Sequence, residues 1–223
     1  RQIIQVKVIG KEAAIEKVQL ATDEKEEADY RAKTVFDSIP AKDKQTQGIE
    51  LKVLSKIFEE NKLAQKMYNV QMGKLKIDYA ANTLSAAKVE LIYQAANAKN
   101  KETVKNTMSQ ILSEVTSSQN SFYTVAKNKT QADAIEYLIG NQDNRTNLAK
   151  AVVSLKKNQT SALIEEKDGF YIAHCIQTNS AALQQQYRNQ LVSEKQTESF
   201  QKTYKTWSDK FDVKVSKALL AAN

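Results

Sequence analysis

Leu148-Ala-Lys-Ala-Val-Val-Ser-Leu-Lys-Lys-Asn-Gln-Thr-Ser161, followed closely by Ile164 and then by Gly169-Phe-Tyr-Ile-Ala173, is the stretch on which the fold turns. Its apolar residues predict a helix over 147–155. Residues 161–165 and 169–175 then predict two strands. The turn between them is Glu166-Lys167-Asp168-Gly169, and Asp-Gly is a strong hairpin signal. Gly169 is expected to take a positive φ there.

Working back from this hairpin, residues 134–139 read as a strand or extended loop ended by Gly140. Residues 121–127 predict a helix using Phe122, Val125 and Ala126. Residues 101–115 predict another, with Val104, Met108, Ile111, Leu112 and Val115 on one face. Residues 89–93 form a short apolar strand with Glu90 embedded in it. Beyond the hairpin, residues 181–211 predict one long amphipathic helix carrying Leu183, Tyr187, Leu191, Phe200, Tyr204 and Trp207. A short alternating strand is expected at 212–216 and a helical turn at 217–222.

At the other end, Ile4, Val6 and Val8 alternate with Gln5 and Lys7, which predicts a strand over residues 2–9. A helix follows from about Lys11, with Ala14, Ile15, Val18 and Ala21 on one face. A further helical pattern carries Tyr30, Val35 and Ile39. Pro40 then breaks the chain, and residues 41–48 read as a polar loop. From Ile49 the helical signal is strong: Ile49, Val53, Leu54, Ile57 and Phe58 recur at spacings of three and four, followed by Leu63, Ala64, Met67 and Tyr68. Val-Lys-Val occurs at 6–8 and again at 213–215, which suggests that the termini meet.

The chain has 223 residues, enough for one large domain or two small ones. Only five Gly and one Pro favour helices over tight hairpins. No apolar run approaches the roughly 20 residues of a membrane span. A single cysteine, Cys175, excludes an internal disulfide, and a single histidine, His174, excludes two-histidine metal sites. No metal and no cofactor is expected. The net charge of +7 fits a solvated surface rich in Lys, or attraction to an anionic partner: nucleic acid, membrane lipid or an acidic wall polymer. Its lysines are spread among acidic residues with no dense basic block, which argues against nucleic acid. The first residue is Arg1, as expected of a chain from which a leader was removed or trimmed.

The order strand, helix, helix, loop, helix, strand, turn, strand over residues 86–178 resembles a parvulin-type peptidyl-prolyl isomerase domain. The 148–161 helix and turn, the 169–173 strand and Ser121-Phe-Tyr-Thr-Val-Ala-Lys127 carry the likeness. Outside that domain the layout is similar to the PrsA and SurA foldases, and Val53-Leu-Ser-Lys-Ile-Phe-Glu-Glu-Asn-Lys-Leu63 resembles the helix that precedes their inserted domain. The resemblance implies an α+β protein: a helical chaperone module from residues 1–85 and 179–223, with a parvulin-like domain, a small antiparallel sheet with helices, inserted at 86–178.

The resemblance also implies two histidines beneath the substrate proline and a Cys or Asp beside them. Those positions fall here on Glu90, Tyr171 and, near the third, Ile135. The proline pocket falls on Tyr137, Asn144, Leu148 and Tyr171, with Asn144 in place of a Met and Leu148 in place of a Phe. Glu90 and Tyr171 would hydrogen-bond if the strands pair as in the family. His174 is three positions beyond Tyr171 and should face away from the site. The expected function is therefore an extracytoplasmic folding chaperone that binds unfolded secreted polypeptides through an apolar cleft, with a non-catalytic parvulin domain. The resemblance implies lipid anchoring at the outer face of the bacterial membrane. The competing readings are an active prolyl isomerase, a basic module for nucleic acid or wall polymer, and a purely structural helical protein. The sequence leaves the oligomeric state open.

Overall fold

A computed structural model describes residues 2–80, 83–117 and 121–211. The chain forms two compact units, one of residues 1–77 with 194–223 and one of residues 78–193.

The second unit is built on a four-stranded antiparallel sheet. Its strands are β1 (Ala86–Ala95), β2 (Glu136–Gly140), β3 (Ile164–Glu166) and β4 (Gly169–Gln177), in the order β2-β1-β4-β3. Helices α5 (Lys101–Ser117), α6 (Phe122–Lys129) and α7 (Thr146–Ser154) complete it. Successive side chains of a strand point to opposite faces. On one face Val89, Leu91, Ile139, Tyr171, Ala173 and Cys175 pack with Leu148 and Val152 of α7. On the other, Ile92, Phe170 and Ile172 lie under Met108 and Ile111 of α5 and Phe122 and Val125 of α6. β4 is covered on both faces, which is why Phe170 to Ala173 reads as an unbroken apolar run rather than an alternation.

The hairpin turn falls where the sequence places it: Glu166 pairs with Gly169 across the two-residue loop Lys167-Asp168, and Gly169 opens the second strand. Gly169 has φ 155°, and a β-carbon there would sit 2.1 Å from the Gln94 carbonyl oxygen of β1. The glycine is required by the close approach of β1 as much as by the turn. Leu84, Ala86, Tyr187 and Leu191 form a further buried cluster. The unit therefore extends beyond the 86–178 stretch to residues 78 and 193.

The first unit is helical: α1 (Gln2–Ile15), α2 (Thr22–Ser38), α3 (Ala41–Gln47), α4 (Leu51–Gly73) and the second half of α8 (Ala181–Ser208). Val8, Ile9, Ala13, Met67 and Trp207 form its buried core, with Leu63, Phe200 and Tyr204 packed around it. Phe200 meets Tyr68 and Trp207 edge to face, with ring centroids at 4.9 and 5.9 Å.

Three expectations are corrected here. Residues 2–9 are helical rather than extended. Val8, Ile9, Glu12 and Ala13 are buried together, a helical stripe that packs among Met67 and Trp207. Residues 41–47 are a helix rather than a loop, because Pro40 precedes the first turn, where its missing N–H costs nothing. Gly48, at φ 61°, ends that helix. On α2 the buried residues are Ala28 and Ala32, whereas Tyr30 and Val35 stand exposed. The strand expected at 212–216 and the turn at 217–222 lie outside the described residues.

Candidate functional site

Tyr171 sits on β4 directly opposite Tyr93 on β1. Directly opposite residues of an antiparallel pair share a face, and here the two rings stack with centroids 4.6 Å apart. The Tyr171 hydroxyl donates to Asp168 Oδ2 at 2.6 Å, and the Tyr93 hydroxyl donates to the Asp168 carbonyl at 3.0 Å. Both tyrosines are thereby tied to the hairpin loop. Arg145, in the segment before α7, lies 5.7 Å from the centre of the Tyr171 ring. Asp143 holds that guanidinium through two bonds, Nε to Oδ1 at 2.9 Å and Nη2 to Oδ2 at 2.7 Å.

Burial, and then the neighbouring Asp168, pushes the Tyr171 hydroxyl well above the usual phenol range. The same two causes raise Tyr93. The bidentate Asp143 contact holds Arg145 even more firmly in its charged form. Tyr171 and Tyr93 stay protonated and Arg145 stays charged near neutral pH, and each is turned toward another member of the constellation. It ties β1, β4 and the segment before α7 together.

The six expected site residues divide across the sheet. Tyr171, Tyr137 and Leu148 share the α7 face. Tyr137 accepts the Ala134 N–H at 3.0 Å through its hydroxyl. Leu148 is fully buried in the core rather than lining a pocket. Asn144 is exposed in the segment before α7. Ile135 packs with the other cluster, against the α5 and α6 side, and its carbonyl accepts the Leu91 N–H at 2.8 Å.

Glu90 is also on that other side. It stands opposite Glu136 of β2 and His174 of β4, three positions out of step with Tyr171. The expected Glu90–Tyr171 hydrogen bond is therefore absent, because residues an odd number apart face opposite ways. Burial, then the adjacent Glu136, raises the Glu90 carboxyl above its ordinary range. His174 stacks on Phe122 with ring centroids at 5.2 Å, and its Nδ1 is 2.9 Å from Thr160 Oγ1. Burial lowers the basicity of this imidazole. Cys175 is buried on the Tyr171 side, and burial raises its thiol.

The sequence marks Asp168 only as a turn residue and does not mark Tyr93, Asp143 or Arg145 as site residues. Tyr93 was legible, since it follows Val89 and Leu91 on the same alternating face. Asp143 and Arg145 carry no pattern that separates them from an ordinary polar loop. A cleft of about 560 Å³ opens elsewhere in this unit, lined by Asn97, Lys101, Asn147, Glu165, Lys167 and Phe170. Among the described residues no three His, Cys, Asp or Glu side chains lie close enough to hold a metal ion.

Residues 84–177 match the model of the rotamase family, the PPIC-type PPIase domain. No curated protein matches the chain. Among solved structures, a peptidylprolyl isomerase (PrsA) from Bacillus anthracis is 14% identical and covers 97% of this chain and 98% of its own, with a TM-score of 0.50. A PpiC-type peptidyl-prolyl cis-trans isomerase domain is 21% identical over 45% of this chain and 98% of its own, with a TM-score of 0.41. A structure from a study of two SurA-like chaperones of Campylobacter jejuni is 12% identical over 96% of this chain and 86% of its own, with a TM-score of 0.37. The α+β architecture, helices with one small antiparallel sheet, is shared with the Bacillus anthracis structure.

Proposed function

We propose that the protein is a folding chaperone that acts outside the cytoplasm on unfolded secreted polypeptides, and that its parvulin-type domain does not catalyse prolyl isomerisation. The observation that carries this reading is the sheet face around Tyr171. The family resemblance implies an imidazole at Tyr171, and the one histidine of the chain, His174, is stacked on Phe122 on the opposite face. Tyr171 cannot stand in for one: its hydroxyl is committed to Asp168 and stays protonated. The pocket positions have changed character as well, with Leu148 sunk into the core and Asn144 out in solvent.

The holding half of the reading is supported by the likeness of fold to PrsA over nearly the whole chain and by the exposed aliphatic side chains of the helical unit. Placement at the outer face of a bacterial membrane through a lipid, as in a Gram-positive cell, belongs to the same proposal. No helix among the described residues is long and apolar enough to cross a membrane. The charge of +7 would add attraction to anionic lipid or wall polymer.

The test is aggregation of a chemically unfolded, proline-free client, followed by light scattering. The full chain is expected to delay it at near-equimolar ratio. Unchanged scattering up to a large excess of the protein would sink the chaperone reading. The rival reading, an active isomerase, is favoured by the match to the PPIase family and predicts faster relaxation of a proline peptide instead.

A further inference from the structure

Six of the seven large apolar side chains that stand most exposed among the described residues belong to the helical unit. Three of them, Ile3, Val53 and Ile57, border α1 and α4. We infer that the groove between these two helices is where an unfolded chain is held, and that its occupant is an uncharged, apolar, extended stretch of about five to seven residues. This rests on the chaperone reading above and adds the place and the chemistry.

The two helices run alongside each other in the same direction. Lys7 pairs with Glu60, and further along Glu16 accepts from Gln71 and Lys74. Between these ties lies a groove of about 340 Å³ whose apolar lining is Gly10, Ala14, Val18, Leu20 and Leu63. Gly10 sits inside α1, where glycine weakens a helix relative to alanine. A β-carbon at Gly10 would meet nothing within 4 Å, so no neighbour in the chain demands its absence. The bare backbone is useful only to something that comes from outside and packs closely on it.

The rim sets the chemistry of the visitor. Lys25 stands at the groove together with Glu59, and neither makes an ion pair among the described residues. Glu60 is neutralised by Lys7. The opposite charges of Lys25 and Glu59 balance, so the groove favours neither an acidic nor a basic peptide. Its floor rewards apolar side chains. The track continues past the Lys7–Glu60 pair to Ile3, one turn earlier on α1, and to Ile57 and Val53, one and two turns earlier on α4. These are 62%, 45% and 53% exposed. From Val53 to Leu63 a helix advances about 15 Å, which an extended chain covers in about five residues.

The experiment uses the full chain and a fluorescent, proline-free peptide of about seven uncharged residues, alternating leucine and serine. Gly10→Leu puts a side chain into the groove from a position where a β-carbon meets nothing, and it improves the helix, so its melting temperature should equal or exceed that of the wild type. Its affinity for the peptide should fall about tenfold. Ile57→Ser, at an already exposed position, should fall less. Placing Glu or Lys at the peptide's centre should weaken binding to the wild type. Equal binding by wild type and Gly10→Leu would overturn the groove while leaving the chaperone reading standing. A wild type that neither binds the peptide nor delays aggregation would remove both. A wild-type dimer that Gly10→Leu dissociates, without effect on peptide binding, would give the groove to a second copy and overturn the inference.

Discussion

Gly169 and Glu90 are the two residues whose environments make the sharpest demands. At Gly169 a β-carbon would lie 2.1 Å from the Gln94 oxygen and 3.0 Å from the Ala95 α-carbon, so β1 must move to admit any side chain. Gly169→Val should destabilise the protein by more than about 1 kcal/mol, well beyond an exposed substitution. A urea midpoint unchanged by the substitution would refute the close approach. At Glu90 the demand is electrostatic. Its folded carboxyl is raised above 4.5 by burial and by Glu136, so the folded state takes up this proton more readily than the unfolded chain. Ionised Glu90 therefore costs stability above its folded pKa. That cost is relieved as pH falls through the folded pKa and is gone below about 4.5. Glu90→Gln should be more stable than wild type at pH 7, with the gap closing near pH 4. Denaturation at the two pH values measures it, and a gap that widens on acidification would refute the assignment.

Among the elements, those of the sheet unit were the most legible. β1, α5, α6, α7 and the β3–β4 hairpin follow the apolar spacings of the sequence to within a few residues, because one face of each is buried on a single core. α1 was not legible. Ile4, Val6 and Val8 alternate as a strand would, yet Ile4 and Val8 are also one helical turn apart, and burial of Val8, Ile9 and Ala13 around Met67 selects the helix. The site was half legible for a related reason. Tyr171 and its strand were found, but Glu90 was assigned without fixing the register of β1, and one residue of register decides which face a side chain takes. Nor did the sequence reveal how α7 begins. The carboxylate of Glu166, from β3, accepts the N–H groups of Asn147 at 2.7 Å and Leu148 at 2.9 Å. A negative charge at a helix N-terminus satisfies otherwise unpaired donors and favours the helix dipole. Glu166→Ala should cost about 1–2 kcal/mol, and Glu166→Gln should retain part of it. Chemical denaturation measures both, and equal stability of the two variants would deny the capping role.

At the scale of the whole molecule, the proposed function makes holding and catalysis separable, and one sample can report on both. Uncatalysed prolyl isomerisation takes on the order of tens of seconds or longer, so even modest catalysis is easy to detect. The full chain should leave the relaxation of a proline tetrapeptide at its spontaneous rate while delaying aggregation of an unfolded client in the same buffer. The reason is geometric as well as chemical. Tyr171 stacks on Tyr93 and bonds Asp168, and Arg145 is occupied by Asp143. Restoring histidine at both aligned positions should not help. In the Glu90→His, Tyr171→His double variant the two imidazoles would lie on opposite faces of the sheet, one beside His174 and the other beside Tyr93. They could not form a hydrogen-bonded pair. The double variant should therefore remain inactive, and its loss of the Tyr171–Asp168 bond should lower its stability by about 1 kcal/mol. A wild-type rate enhancement that Tyr171→Phe abolishes would show that the tyrosine face is a working site, and would return the protein to the enzymes.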